Sequence, residues 1–550
     1  MPDLSAVHRA LLQQGFVQVS DVPARIIRYS GVLHCSGIDV PVQLDITDKE
    51  FTTLPKITLI DRPSGLPAVC SHLGDDNVLC YASSKTAHID IHRASWQILD
   101  CISKAESVLS RLLAGDPLAD TRDEFLAYWR GDPVLVDLVA TRRAATAWKI
   151  KFTNGREHWI IGADESAIRA KYERIGGTLV SEGASAIILD STTPPSVTAE
   201  RWPPKTLSDI AVWLNKGDKA TLKSLSNSLK EFHHHRDARV LIVVRNNWAW
   251  FGFSVTFDRT LRSKHTSAND WVHYVLWGRG ALTTVIRLKP VRVDQSYLIS
   301  RNLSSEQSDE QSLEHKRIIL AGCGAIGGYL AEMLVRAGAG SGTGRLILVD
   351  SDCLVPGNLG RHVLGVQDLF RNKAEAVRDW VCSRFPSAVV IAISDDVRNV
   401  SFKNANLLID ATGEEALSSA LNLRYLAGNL PPVLYSWIKG PGIAAQALLV
   451  DSKKQGCYRC LRTADRNDRY SPLLEPIDSV VMGRGCDDYY VPFSAAASMQ
   501  AAALAGQLVL DWVNNRATPR LRTRAISYNN LREIKDKDLT RASDCPACAG

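Results

Sequence analysis

The sequence predicts an α/β chain of several domains: a doubly wound parallel-sheet domain at the C-terminal end, preceded by a compact α+β unit and a middle domain of mixed α/β pattern. Three observations predict it. A strand, a glycine turn, a helix and a second strand follow one another from Arg317. Short β-like runs and one long helical pattern fill the segment up to Arg130. At 550 residues the chain exceeds what one core encloses, taking about 150 residues as the soft unit of a domain. The expected divisions are 1–130, 131–300 and 301–550.

In the first segment Val40–Leu44 and Ile57–Ile60 read as strands, and Ser95–Ala114 repeats its apolar residues at helical spacing. In the second, Arg239–Val244 and Trp248–Val255 read as strands and Leu222–Phe232 as a helix; no residue pattern there assigns a chemistry. The polar run Arg301–Lys316 reads as a linker or an arm laid over a neighbouring domain. Beyond it come a strand at Arg317–Ala321, a helix at Gly328–Ala337 and a strand at Arg345–Asp350. Such a βαβ unit implies a parallel sheet with right-handed crossovers. The alanine-rich stretch Ser494–Val513 is interrupted by Gln500, Gln507 and Asp511, and so reads as a packed helix rather than a membrane span.

Composition narrows the function classes. Apolar residues at 45% and charged residues at 23% are those of an ordinary soluble globular protein. The formal charge of +6 is small for this length and its cations are interspersed with acids, so no nucleic-acid footprint is expected. Met1–Phe16 lacks the basic region, apolar core and cleavage site of a secretory signal. In such a chain, twelve cysteines point to metal binding or catalysis rather than disulfides, and the expected compartment is the cytosol.

Gly322, Gly324 and Gly327 form G-x-G-x-x-G between a strand and a helix, with Asp350 ending the next strand. Glycines let the backbone approach phosphate, the helix N-terminus favours negative charge, and the acid holds a ribose hydroxyl. A motif of this kind alone serves a nicotinamide or flavin oxidoreductase as well as an ATP enzyme. The residues that follow separate the two. Asp350-Ser-Asp-Cys-Leu-Val-Pro-Gly-Asn358-Leu-Gly-Arg361-His362 resembles the second-strand motif of the activating-enzyme superfamily, which includes ubiquitin-activating enzymes and the ThiF-type adenylyltransferases of thiamine and molybdopterin biosynthesis. Lys373 follows at about the family's spacing, and Asp410 ends the apolar run Leu407–Asp410 as the family's strand-end aspartate does.

The resemblance runs from Arg317 to the C-terminus and implies a Rossmann-like, ThiF-type adenylation domain that uses ATP and Mg²⁺. An anionic carboxylate attacking an anionic nucleotide needs cations to reduce repulsion and stabilise the departing pyrophosphate. By the resemblance, Arg361 and Lys373 supply them, Asp410 holds Mg²⁺, Asp350 binds ribose and Asn358 contacts the phosphates. Relatives form homodimers through this domain and take one further arginine from an arm of the partner, for which Arg301 is the candidate.

Cys457-Tyr-Arg-Cys460 and Cys545-Pro-Ala-Cys548 are two C-x-x-C pairs far apart in sequence. Two short turns of this kind clamp one tetrahedral Zn²⁺ from opposite sides, a structural rather than catalytic site because four thiolates leave no open position. Cys323 and Cys353, inside the nucleotide motifs, are expected to pack, and Cys35, Cys70, Cys101 and Cys382 give no spacing signal.

Two other cysteines are candidates to carry an acyl group. Cys486 lies in a glycine-rich loop beside Arg484 and ahead of a Gln-Ala helix, where the superfamily places the cysteine that attacks the acyl adenylate. A nearby cation favours its thiolate. His72-Leu-Gly-Asp-Asp-Asn77-Val-Leu-Cys80 resembles the active-site segment of ubiquitin-conjugating enzymes, in which a histidine turn precedes the cysteine. The usual His-Pro-Asn turn reads His72-Leu73-Gly74, which leaves Asn77 as the candidate stand-in for the missing asparagine.

An activating domain behind a conjugating-like domain resembles the fused ubiquitin-transfer enzymes of cyclic-oligonucleotide antiphage signalling (CBASS) operons. The resemblance implies that the C-terminal tail of a partner, a cGAS-like nucleotidyltransferase, is adenylated, captured on Cys486, moved to Cys80 and conjugated to an amine. Three other readings stay open. A sulfur-carrier adenylyltransferase needs no Cys80; another bacterial ubiquitin-like pathway differs only in the partner; a nicotinamide oxidoreductase would bind NAD in preference to ATP, and an inert scaffold needs no Asp410.

Overall fold

The computed structural model describes residues 3–549 apart from 21, 24, 68, 75, 83–89, 116–124, 139–143, 181–182, 199–201, 279–282, 301–310, 466–468 and 476–489. The chain forms two compact units, residues 1–151 with 156–164 and 179–291, and residues 292–550 with 152–155 and 165–178.

The first unit begins with helix α1 (Leu4–Gln13) and five strands in sequential order, β1 (Val17–Val19), β2 (Ile27–Cys35), β3 (Ile38–Ile46), β4 (Lys56–Leu59) and β5 (Val78–Leu79). All neighbours are antiparallel. Alternation decides the faces: Leu33, Val40, Val42, Leu44, Ile57 and Leu59 are buried, and helix α2 (Ala94–Ala114) covers them with Ile98, Cys101, Ala105 and Leu109.

The next segment carries helix α3 (Phe125–Trp129), strands β6 (Asp132–Asp137), β7 (Ala144–Phe152) and β8 (Glu157–Gly162), helix α4 (Glu165–Glu173), and strands β9 (Gly177–Leu179) and β10 (Ala184–Asp190). Helices α5 (Leu207–Gly217) and α6 (Lys219–Phe232), strands β11 (Arg239–Arg245) and β12 (Phe251–Thr256), helices α7 (Arg259–Ser263) and α8 (Ala268–Trp277) and strand β13 (Val285–Arg292) complete it. The strand order is β10-β11-β12-β13-β6-β8-β7-β9, and a further pairing of β10 with β7 closes seven of these strands into a barrel. Sequence periodicity finds the strands and the helix but not the closure, which joins Ala184–Ile187 to Ala144–Ala147 across the fold.

The second unit holds helix α9 (Gln295–Ser300) and a seven-stranded sheet. Its elements are β14 (Arg317–Ala321), α10 (Ala325–Arg336), β15 (Arg345–Val349), α11 (Lys373–Arg384), β16 (Val390–Ile393), β17 (Leu407–Asp410), α12 (Glu415–Leu426), β18 (Val433–Lys439), β19 (Ala444–Val450), α13 (Tyr458–Asp465), α14 (Ala495–Val513) and β20 (Leu521–Ala525). The order is β16-β15-β14-β17-β18-β19-β20. The first five strands are parallel and the last two add antiparallel.

Both faces are covered. Ile318, Leu320, Leu346 and Leu348 pack with residues of α10, α11 and α14, whereas Ile319, Ala321, Ile347 and Val349 join Leu421 and Tyr425 of α12 on the other face. Helix α10 starts at Ala325, three residues earlier than Gly328, because Gly327 packs against the turn below it. Strand order reverses between β14 and β17, the switch point outside which ligands bind in open α/β sheets. Among the described residues no helix is long and apolar enough to cross a membrane.

Candidate active site

A cavity of about 620 Å³ opens at the C-terminal ends of β14, β15, β17 and β18. It brings together Gly322, Gly324, Asp350, Asn358, Arg361, Lys373 and Asp410. The three motif glycines do different work. Gly322 has φ +85°, and a Cβ there would lie 2.8 Å from the Thr412 amide nitrogen. A Cβ on Gly327 would meet the Gly322 carbonyl oxygen at 1.8 Å, so only glycine lets α10 sit on the turn. Gly324 caps α10 with nothing near its missing Cβ, which leaves the helix N-terminus open to the cavity for an anion.

Asp350 joins the second strand to the glycine turn. Its carboxylate accepts from the Cys323 amide at 2.7 Å and from the Asp352 amide at 2.8 Å. Burial pushes this carboxyl above the usual range. Lys373, at the start of α11, donates its Nζ to Asp352 at 2.9 Å, and Asn372 fixes the same turn by donating to the carbonyls of Asp350 and Asp352. Asn358 ends a short 3₁₀ turn and accepts from the Val355 amide at 3.1 Å. Arg361 donates to the Val491 carbonyl at 3.1 Å and stacks on Phe493 at 4.7 Å.

Asp410 is 2% exposed at the end of β17. It accepts from the Thr412 amide (3.1 Å), the Thr412 hydroxyl (2.7 Å) and the Ser418 hydroxyl (2.5 Å), and burial pushes its carboxyl up. These partners are all neutral donors. A hard divalent cation, which prefers carboxylate oxygens, would suit this carboxylate.

His362 is a positioning residue that the motif reading passed over. It is 6% exposed; its Nε2–H donates to the Cys323 carbonyl at 2.8 Å, while Nδ1 accepts from the Leu364 amide at 3.1 Å. Burial lowers its pKa, which keeps the ring neutral in one tautomer. The ring thereby ties the glycine turn to the segment that carries Asn358 and Arg361. Its place beside Arg361 was the available signal.

The four predicted zinc cysteines converge. Sγ separations are 3.8 Å for Cys457–Cys460, 3.8 Å for Cys457–Cys545 and 3.4 Å for Cys460–Cys548, and all four lie within 4.8 Å of one another. A tetrahedral ion with Zn–S bonds of about 2.3 Å requires sulfur edges of about 3.8 Å, whereas a disulfide requires about 2.0 Å. The donor set therefore fits zinc. Asn422 donates to Cys457 at 3.5 Å and the Ala542 amide to Cys460 at 3.4 Å, the N–H donors that thiolates need.

The purified chain is expected to hold about one zinc by elemental analysis. Cys460→Ser should lose it. A deficit of about 4 kcal/mol, modest for a structural zinc site, lowers the thermal midpoint by roughly 10 °C. A wild type that is purified without zinc, or a Cys460→Ser variant that keeps it and melts with the wild type, would refute the assignment.

In the first unit, residues 72–74 and 76–80 pair across a tight turn. The Cys80 amide donates to the His72 carbonyl at 2.7 Å, and the Gly74 amide to the Val78 carbonyl at 3.0 Å. His72 and Asn77 take the left-handed conformation, with φ +60° and +58°. Leu79 and Tyr81 are buried, and Tyr81 donates to the Pro55 carbonyl at 2.6 Å, so alternation turns Cys80 outward. Cys35, Cys70 and Cys101 are buried instead, and burial pushes the Cys35 thiol to about 11. Arg62, unmarked by the sequence reading, clamps the turn. It donates to the carbonyls of Pro67 (2.5 Å) and Gly74 (3.3 Å) and to Asn77 Oδ1 (3.4 Å).

Cys486, with its neighbour Arg484, and Arg301 lie outside the described residues. Cys323 packs as expected, but Cys353 is exposed: it lies beyond the end of β15, bridged to Asn372 at the surface.

A glycine turn, a strand-end acid and a four-cysteine cluster on a doubly wound sheet are the features of an activating adenylyltransferase. The ThiF family model matches residues 299–547, and that of prokaryotic E2 family B matches residues 20–133. The ATP-dependent ubiquitin transferase-like protein Cap2 of Pseudomonas aeruginosa (strain BWHPSA011 / Pa011) is 35% identical over 552 residues, 98% of each chain. The protein of the same name from Escherichia coli (strain TW11681) is 26% identical over 598 residues, again 98% of each. That from Vibrio cholerae serotype O1 (strain ATCC 39315 / El Tor Inaba N16961) is 26% identical over 529 residues, 90% of this chain and 89% of the other. The chain belongs to this family of Cap2 ATP-dependent ubiquitin transferase-like proteins, with a ThiF domain C-terminal and a prokaryotic E2 domain N-terminal.

Proposed function

We propose that the chain activates the C-terminal carboxylate of a partner protein with ATP, carries the acyl group on Cys486 and then Cys80, and conjugates it to an amine. The observation that carries this reading is the pairing, in one chain, of the strand-end cavity with an outward-facing cysteine on a histidine hairpin. Residues 1–130 are assigned to conjugation, 131–300 to a middle domain and 301–550 to adenylation. The partner proposed is a cGAS-like nucleotidyltransferase of a cytosolic antiphage (CBASS) system, on the resemblance to fused transfer enzymes of such operons.

Each step is a substitution with a good leaving group. The carboxylate oxygen attacks the α-phosphorus and pyrophosphate leaves; the Cys486 thiolate attacks the acyl carbon and AMP leaves. The Cys80 thiolate then displaces that of Cys486, and an amine finally displaces Cys80. Asp350 is assigned to ribose, Asn358, Arg361 and Lys373 to the phosphates, and Arg301 to the other subunit's site in a homodimer. Asp410 would hold magnesium, which when bound neutralises phosphate charge. Arg62 draws the oxygen of Asn77 away, which leaves the Asn77 amide N–H₂ as a donor for aminolysis.

The test mixes the protein with ATP, Mg²⁺ and the nucleotidyltransferase encoded beside it, followed on a non-reducing gel. A thiol-sensitive adduct is expected in wild type and none in Cys486→Ala. ATP consumption without an adduct in any lane would leave the acyl adenylate as the end product, as in a sulfur-carrier adenylyltransferase.

A further inference from the structure

Along the strand ends of the cavity the order is β15, β14, β17, β18, which places Asp350, the glycine turn, Asp410 and Tyr435 in a row. Tyr435 is the register partner of Asp410. It is 1% exposed and lines the cavity, yet its hydroxyl has no hydrogen-bond partner among the described residues. Two residues on, and therefore on the same face of β18, the indole N–H of Trp437 is also buried, without a partner among the described residues, and at the cavity wall. Tyr458 packs on Tyr435 at 4.6 Å and edge-on to Trp437 at 6.3 Å, which fixes both rings.

Native interiors keep few polar groups without partners, because each forfeits the hydrogen bonds it made to water. Two such donors lining one cavity point to an acceptor that arrives with a ligand. Their chemistry selects which. An indole only donates, and a phenol beside a buried carboxylate has every reason to donate as well. Pyrophosphate carries a high negative charge and suits the cations Arg361 and Lys373, whereas two neutral donors in an aromatic wall suit a carboxylate or peptide carbonyl.

We propose that the Tyr435 hydroxyl and the Trp437 indole N–H form the acyl subsite, donating to the terminal carboxylate of the substrate and to the carbonyl oxygen it becomes. This rests on the adenylation reading and adds to it the residues that receive the tail. Tyr435 and Trp437 bind and orient; no bond is made or broken by either.

The experiment titrates the full-length protein calorimetrically with ATP·Mg²⁺, with 5′-sulfamoyladenosine and with 5′-O-(N-glycylsulfamoyl)adenosine, a stable mimic of a glycyl adenylate. Tyr435→Phe and Trp437→Phe are compared with wild type, and unliganded thermal midpoints are recorded. Each variant should weaken the glycyl mimic by about ten- to a hundredfold, with the other two probes within about twofold of wild type. The unliganded midpoint of Tyr435→Phe should hold or rise, because the lost hydroxyl had no partner. Equal weakening of all three probes would assign these groups to the nucleotide and overturn the proposal. Unchanged affinities, or a lowered unliganded midpoint in Tyr435→Phe, would overturn it too. A wild type that binds none of the three probes would sink the adenylation reading itself.

Discussion

Replacing Asp410 with asparagine is expected to slow adenylate formation by on the order of 10²- to 10³-fold, the scale on which single electrostatic stabilisers act in closed sites. The carboxylate is buried, and three donors from Thr412 and Ser418 converge on its two oxygens. An amide of the same shape presents N–H₂ to at least one of those donors and removes the negative charge that would hold a cation against phosphate. Pyrophosphate exchange measures the step, and calorimetry with ATP checks that nucleotide still binds. Wild-type exchange in Asp410→Asn would remove Asp410 from the chemistry, whereas no exchange in the wild type itself would favour an inert scaffold.

Cys80→Ser should divide the two halves of the reaction. ATP consumption and the first thioester should persist, since the cavity proposed for the nucleotide is lined wholly by residues of the second unit. Transfer to an amine falls by on the order of 10³-fold or more, the scale on which loss of a covalent nucleophile is felt, because an alkoxide attacks and leaves far less readily than a thiolate. Any adduct that forms at residue 80 is an ester, stable to thiols and cleaved by hydroxide. Geometry makes the substitution informative: residue 80 faces outward between buried Leu79 and Tyr81, and its amide is fixed on His72, so serine replaces sulfur without disturbing a core. Undiminished conjugation by Cys80→Ser would show that the hairpin cysteine is a bystander.

The sequence made the strands and their chemistry-bearing ends readable because those features are local. Leu407–Asp410 is an apolar run that stops at an acid, and the glycines around 322–327 state their backbone demands directly. What depends on distant partners was hidden. The closure of β10 on β7 joins residues about forty apart that carry only alanine, serine, threonine and isoleucine, a pattern with no pairing code. Arg62 and His362 act by reaching main-chain atoms elsewhere in the fold, which spacing does not encode. Tyr435 and Trp437 read as ordinary strand residues until their unpaired donors are located at a cavity wall.

The cysteine cluster also has a topological meaning. It links Cys457 to Cys545 and Cys460 to Cys548, each pair separated by 88 positions. With an ion in place the intervening chain is a ring, and α14, β20 and the stretch 476–489 all lie on it. In the chain-entropy view, closing a ring of about 90 residues takes roughly 4–5 kcal/mol of freedom from the unfolded ensemble. That penalty falls on the denatured chain alone. With the ion bound, every segment inside the ring, α14 and β20 included, would therefore be tethered at both ends by the same four sulfurs.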